Sequence, residues 1–222
     1  MNSLYQIEQL EPFSKIALDI ANLLSIAPPP QNLLKNETAL PAPILNSLVK
    51  YRNYLVHAIV EKEINPKNDI LMFKSFLDFY SLTVPFDIEK HVSPGDIIEV
   101  YGEDFVQIYR NRTFFDFCSY DIYTLLSNPF QTLFRRDEDI TAKITEKAMQ
   151  CLTKGAGIEA VGVEPHLMQE HFARNDKVFE IENKWCSPVY SRVTGSVLGL
   201  FCTMKAKNKG RSNVHGIGFI SH

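Results

Sequence analysis

The sequence predicts an α+β fold, in which a helical first part precedes an antiparallel sheet with short helices on one face. Apolar residues recur at helical spacing through about the first 80 residues. From Ile97 the pattern changes to a period of two, with β-branched and aromatic side chains. Two strands, several short helices and three further strands follow in that order, which favours an antiparallel meander over alternating strand and helix units.

Three helices are predicted in the first part. The first covers residues 4–26, has Pro12 in its first turn, and ends at the sequence APPP, where the prolines force an extended backbone. The second helix covers residues 44–64. The third covers residues 69–80, and Asp69 is a suitable N-cap residue for it.

A tight β-hairpin is predicted from Ile97 to Tyr109, with its turn at residues 102–104. Helical patterns then follow in short segments, and after them the period of two returns in three strands with the turn RVTG between the last two. These later elements are short helices through Phe114 and over 121–126, the apolar stretch NPFQTLF, a longer helix over 137–152, and strands over 166–173, 178–187 and 196–205.

The apolar faces of the three predicted helices are too extensive to stand alone in water, so something must cover them. The sequence leaves three covers open: the other helices, the second half of the chain, or another copy of it. We therefore expect a helical region over residues 1–90 for dimerisation, relay or docking, a second domain over 93–207, and a tail over 208–222.

Composition excludes several classes of protein. The 222 residues are 45% hydrophobic and 22% charged, which is typical of a globular protein of one or two domains. A formal net charge of -3 argues against a broadly basic surface, so we expect no direct binding to nucleic acid. The chain lacks the pattern of a secretory signal or a membrane helix, so we expect no membrane association and a cytoplasmic location.

The cysteines predict neither a zinc site nor a dense disulfide framework. Cys118, Cys151, Cys186 and Cys202 lie far apart in the sequence, and no Cys-x-x-Cys spacing occurs. A reducing compartment is the simplest setting for such a set.

Three sequence blocks resemble the Per-Arnt-Sim (PAS) domain family over roughly residues 93–207. YRNRTFF, with Asn111 near its centre, is similar to the end of the family's second strand, and CSYDIYTLLSNPFQTLF resembles its tyrosine-centred helix around Tyr120. WCSPVYSRVTGSVLGLFCTMK is similar to the last two strands. Two features depart from the family: Ser119 stands where a glycine is usual, and no Asp-Ile-Thr ends the domain.

The resemblance implies a pocket between the sheet and the short helices, and aromatic and aliphatic residues of both are its candidate lining. An alternative is that these side chains simply fill a core, because aromatic residues are common core residues. The candidate lining residues are Phe105, Ile108, Phe114, Phe117, Tyr120, Leu126, Phe130, Phe134, Trp185 and Leu198.

No cofactor follows from the sequence. A photosensing flavin would need a cysteine in an Asn-Cys-Arg type of helix, and Cys118 lies one turn later among aromatic residues. Haem would need an axial histidine on the helix that faces the pocket, whereas His166 and His171 come after that helix and have no metal-binding spacing. The cofactor therefore stays unknown, and we expect no metal site.

Sequence motifs of catalysis are absent as well. No Gly-x-Ser-x-Gly elbow occurs, GAGIEAVG lacks the lysine and serine of a phosphate loop, and the acids of RRDED are expected to cap a helix. We therefore expect no enzyme but a bacterial-type signalling or regulatory protein, which senses a small molecule or a partner and transmits this by protein–protein contacts.

The resemblance also implies homo-oligomerisation through a sheet face or a flanking helix, and the first helices are expected to bind a protein partner. One alternative is a ligand-free adaptor subunit of a larger assembly. Another is the sensing part of a transcription regulator, whose DNA-binding helices would lie outside this sequence.

Overall fold

The computed structural model describes residues 12–34, 39–154, 157–171 and 177–211. Within these ranges the chain has an α+β fold, with N-terminal helices followed by an antiparallel sheet, as predicted. The helices are α1 (Phe13–Leu24), α2 (Gln31–Leu34), α3 (Ala42–Leu55) with a π-helical continuation (Val56–Glu61), α4 (Asp69–Phe79), α5 (Ile88–His91), α6 (Arg112–Asp116), α7 (Ile122–Ser127), α8 (Phe130–Leu133) and α9 (Glu138–Lys154). The strands are β1 (Leu82–Thr83), β2 (Ile97–Gly102), β3 (Gln107–Arg110), β4 (Phe134–Arg135), β5 (Glu159–Ala160), β6 (His166–Glu170), β7 (Lys177–Ser191) and β8 (Val197–Arg211).

The N-terminal helices begin and end where local chemistry dictates. Pro12 precedes α1, and the helix ends at Ser25, which takes a left-handed conformation with φ 53°. The N-cap of α4 is Asn68 rather than the predicted Asp69, because the Asn68 side chain accepts a hydrogen bond from Leu71 N at 3.1 Å. Asp69 is then the first residue of the helix.

The sheet places the two ends of the predicted second domain next to each other. Its strands lie in the order β3-β2-β8-β7-β6-β4, while β1 and β5 also pair with β7, and every pairing is antiparallel. Strand β2 therefore lies between β3, its hairpin partner, and β8, the last strand in the described part of the chain. The predicted hairpin and the three-strand meander are both confirmed.

Helices cover both faces of this sheet. On the face that we call outer, Tyr109 and Phe201 pack against Phe73 of α4, with ring centroids 5.5 and 5.2 Å from its ring. On the opposite, inner face, Cys186 of β7 contacts Cys151 of α9. Helices α6 to α9 lie on the inner face, α4 and α5 lie on the outer face, and α3 reaches the inner face through Ile44 and Leu48. The second half of the chain therefore covers part of the apolar surface of the N-terminal helices.

Several short elements were not predicted, namely α2, α5, α8, β1, β4 and β5. Parts of three predicted elements lie outside the described residues, namely 4–11 of the first helix, 172–173 of a strand and 212–222 of the tail. None of the helices within the described ranges is long and apolar enough to cross a membrane.

Candidate functional site

A cavity of about 530 Å³ lies between the inner face of the sheet and the helices that cover it. Strands β2, β3, β7 and β8 form its floor, and residues of α3, α7, α8 and α9 form its walls. A volume of this size is typical of sites that hold a small organic molecule.

The floor of the cavity carries a buried carboxylate. Glu99 of β2 is 1% exposed, and one of its oxygens accepts hydrogen bonds from Tyr101 Oη at 2.9 Å and from Gln107 Nε2 at 2.6 Å. Burial raises the pKa of the Glu99 carboxyl, and the two hydrogen bonds and the charge of Arg110 oppose that rise. A buried charged group lowers stability unless hydrogen bonds or an opposite charge compensate it.

Two arginines face the same cavity. Arg110 of β3 lies directly opposite Glu99 of β2 in the antiparallel pairing. Its guanidinium donates a hydrogen bond to Leu125 O at 3.3 Å and lies 5.0 Å from the centroid of the Phe114 ring. Arg136 donates from Nε to Thr141 Oγ1 at 3.1 Å. Burial lowers the pKa of both guanidinium groups. Within the described residues, neither guanidinium lies within ion-pair distance of a carboxylate.

A further donor and an apolar wall complete the cavity. Asn183 of β7 lines it, and no acceptor among the described residues bonds the buried Nδ2 of this side chain. Apolar side chains surround these polar groups, so the cavity has charged side chains on its floor and an apolar wall. The apolar residues are Ile44, Leu48, Phe105, Val106, Leu126, Pro129, Phe130, Ile144, Ala148, Met149, Leu200 and Met204.

Helix α3 joins the cavity to the N-terminal helices. Ile44 and Leu48 line the cavity, and between them Ser47 Oγ donates to Gln107 O at 2.9 Å. One turn later Tyr51 Oη donates to Arg110 O at 2.5 Å. A shift of the β3 backbone at Gln107 or Arg110 would therefore act directly on this helix.

The ten predicted lining residues are only partly brought together. Phe105, Leu126 and Phe130 line the cavity. Phe114, Phe117 and Phe134 pack in the main core, and Tyr120 donates its hydroxyl to Leu133 O at 2.7 Å. The surroundings of these four residues fit the alternative that their side chains fill a core and do not line a pocket.

The last three predicted residues lie away from the cavity. Ile108 is the extra residue at the irregularity in the β2–β3 pairing, Trp185 lies on the outer face with its ring 5.1 Å from that of His91, and Leu198 is 40% exposed. Their placement depends on strand register, because a shift by one residue moves a side chain to the opposite face.

Four polar residues of the site were missed from the sequence: Glu99, Arg110, Arg136 and Asn183. Charged residues inside apolar strands are the signal that could have found the first two, since IIEVY and QIYR each carry one. The position of the other two depends on tertiary packing.

Among the described residues, no group of three or more histidine, cysteine, aspartate or glutamate side chains lies close enough to hold a metal ion. His166 is buried on β6, and burial lowers the pKa of its imidazole. Cys118 is also buried, which raises the pKa of its thiol to about 12.

Comparison with known proteins adds a weak structural likeness. No family model and no curated protein matches the chain. A solved structure, a sensory box sensor histidine kinase from Vibrio cholerae, shares 13% identity with a TM-score of 0.32, over 68% of this chain and 96% of that chain. A likeness at this level identifies neither a family nor a function.

Proposed function

We propose that this protein is a non-enzymatic signalling module of the PAS type, whose cavity binds a small acidic organic molecule. The observation that carries the proposal is the cavity of about 530 Å³ with Arg110 and Arg136 in its lining and a largely apolar wall. Two cationic side chains and the free amide donor of Asn183 outnumber the single carboxylate of Glu99. Arginine pairs well with carboxylate or phosphate oxygens, and the apolar wall suits a hydrocarbon or aromatic body.

Transmission would run through α3. An anion between the arginines would draw Arg110 away from its bond to Leu125 O, and the β3 backbone would move with it. Because Tyr51 and Ser47 of α3 bond to β3 backbone oxygens, occupancy of the cavity would shift the N-terminal helices. A protein partner, or a second copy of the chain, would then read that shift in the cytoplasm.

Native mass spectrometry of the protein purified from its own cells tests the ligand. We expect a small mass excess per chain over the denatured mass. Ligand class is tested by calorimetry with two matched pairs, decanoate against decanamide and 3-phenylpropionate against its amide. We expect each acid to bind about tenfold more tightly than its amide, because an ionised acceptor makes the stronger hydrogen bond to a guanidinium.

Variants locate the binding. Arg110→Gln and Arg136→Gln should each weaken acid binding about tenfold and leave amide binding unchanged. Arg192→Gln is the matched control, since Arg192 pairs with Asp78 at 2.7 Å away from the cavity. Equal binding of the acids and their amides would contradict the proposal that the ligand is acidic. If no adduct is found and none of the probes binds, the proposal that the protein senses a small molecule is wrong.

A ligand-free adaptor is the second candidate, favoured by exposed apolar side chains on the N-terminal helices. Val56 and Val60 of the π-helical segment and Leu71 and Phe79 of α4 are 36%, 62%, 48% and 39% exposed. Co-purifying subunits without a small-molecule adduct would support this function. Val60→Asp should then release the partner and leave the folded chain intact.

A further inference from the structure

Three of the four cysteines lie together, although they are far apart in the sequence. Cys186 of β7 and Cys202 of β8 are Cα partners across the two strands, and Cys151 of α9 lies against Cys186. The Sγ atoms of Cys151 and Cys186 are 3.1 Å apart, and the two residues are 1% and 2% exposed. With Leu200 they form a small apolar cluster separate from the main core.

This distance brings the two thiols close to bonding range. A disulfide has a sulfur–sulfur distance of about 2.05 Å, so the two atoms need to approach by about 1 Å. Holding two reacting groups in contact also raises their effective concentration far above that of thiols in solution.

The surroundings of the two cysteines have opposing effects on the pKa of the Cys186 thiol. Burial raises the pKa of the Cys186 thiol, and its hydrogen bond to Cys151 adds to this. Lys147, one turn before Cys151 on α9, forms an ion pair with Glu159, and its positive charge favours the thiolate of Cys186. Cys202, the neighbour of Cys186, lines the cavity although the pair itself does not, so a small oxidant would approach the pair from the cavity past Cys202.

We propose that Cys151 and Cys186 form a reversible oxidation site, at which a hydroperoxide converts the two thiols into a disulfide that ties α9 to β7. One thiolate attacks the peroxide oxygen, takes that oxygen as a sulfenic acid, and releases water or an alcohol. The second thiol then attacks the sulfenic sulfur and releases water. The two sulfur atoms together lose two electrons, and the peroxide gains two.

The disulfide would fix a wall of the cavity. Ile144, Ala148 and Met149 of α9 line the cavity within two turns of Cys151, so the crosslink would hold this wall against the sheet. The site does not depend on the proposed ligand, because it rests on the thiol contact alone. Closing the loop between residues 151 and 186 should raise the Tm by roughly 5–10 °C.

The test is a disulfide map of the wild-type protein before and after treatment with hydrogen peroxide. The samples are unfolded in iodoacetamide and digested with trypsin without reduction. Trypsin places each cysteine in its own peptide, covering residues 113–135, 148–154, 185–192 and 193–205. We expect a crosslink of 148–154 to 185–192, a loss of two hydrogen atoms per chain, a raised Tm, and reversal of all three by dithiothreitol.

Controls separate this pair from the other thiols. Cys118→Ser should form the crosslink as the wild type does, whereas Cys151→Ser and Cys186→Ser should not. A crosslink of 185–192 to 193–205, a disulfide between two chains, or four alkylated thiols after peroxide would each overturn the proposal. The wild-type map decides the matter even if a serine variant fails to fold.

Discussion

Glu99 and Arg110 are direct partners across β2 and β3, and both side chains lie on the face of the sheet that forms the cavity. Burial disfavours the charge of each, since it raises the pKa of Glu99 and lowers that of Arg110. The attraction between them only partly offsets this cost. The pair is therefore a place where the protein gives up stability, as binding sites commonly do.

The stability cost of Glu99 should depend on pH. A carboxyl whose pKa is raised on folding binds its proton more tightly in the folded state, so stability falls as pH rises from its ordinary value of 4.5 to its raised value. Glu99→Gln removes this titration. We expect urea unfolding at several pH values to show the variant gaining stability relative to the wild type as pH rises through that range. A difference that is independent of pH would contradict the raised pKa.

Asn111 should be a strong determinant of stability. Its Oδ1 accepts from Ile98 N at 3.0 Å and from Phe114 N at 3.3 Å, and its Nδ2 donates to Asp96 O at 2.8 Å. Asn111→Ala leaves these buried groups unpaired and should lower the free energy of unfolding by about 2–4 kcal/mol. Asn111→Asp keeps the acceptor but places a buried carboxylate oxygen against the Asp96 carbonyl oxygen, so it should lose no less. A loss below about 1 kcal/mol for Asn111→Ala in urea titration would contradict these contacts.

Gly199 should not tolerate a side chain. A Cβ there would overlap the Tyr101 carbonyl oxygen on the neighbouring strand, closer than real Cβ atoms approach. Gly199→Ala should therefore destabilise the chain by roughly 2–4 kcal/mol, because the β2–β8 pairing must open. Gly157→Ala is the control, since its Cβ would meet open space. The two midpoints of thermal unfolding should differ, and coincident midpoints would refute the close approach.

Trp185 and Leu198 differ in burial, and truncation of each tests that difference. Trp185 packs partly buried against the main core and the His91 ring, so Trp185→Ala should cost about 2–3 kcal/mol, below the range for a fully buried tryptophan. Leu198 is exposed, and Leu198→Ala should cost less than about 1 kcal/mol. Urea unfolding followed by far-UV circular dichroism compares the two. A small loss at Trp185 would contradict its contact with the core.

The element order was predictable because periodicity is a local property. Ile97 to Tyr109 alternates as a hairpin, and the acids after Arg136 cap α9, where Asp137 Oδ1 accepts from Asp139 N at 2.9 Å. Helix α5 has only four residues, too few for a periodic signal, and β1 and β5 have two residues each. Such elements depend on their long-range pairing partners.

The site was less predictable than the fold because it depends on register. Aromatic content led to ten candidates, of which three line the cavity, whereas its charged residues were overlooked. A bulge at Ile108 and another between Asn183 and Trp185 change which side chains face inward, and the sequence does not mark either. The cysteine cluster was missed for a different reason, since Cys151 of α9 and Cys186 of β7 meet only through tertiary packing.

Because helices cover both faces of the sheet, truncation of this protein from its N-terminus should affect its solubility. A fragment that starts near residue 93 would lose α3 and α4, and with them the partners of Tyr109 and Phe201, whose rings now contact Phe73. That surface would meet water as a flat, aromatic sheet face. Such a fragment should accumulate in inclusion bodies, whereas a polypeptide that begins before α1 should stay in the supernatant.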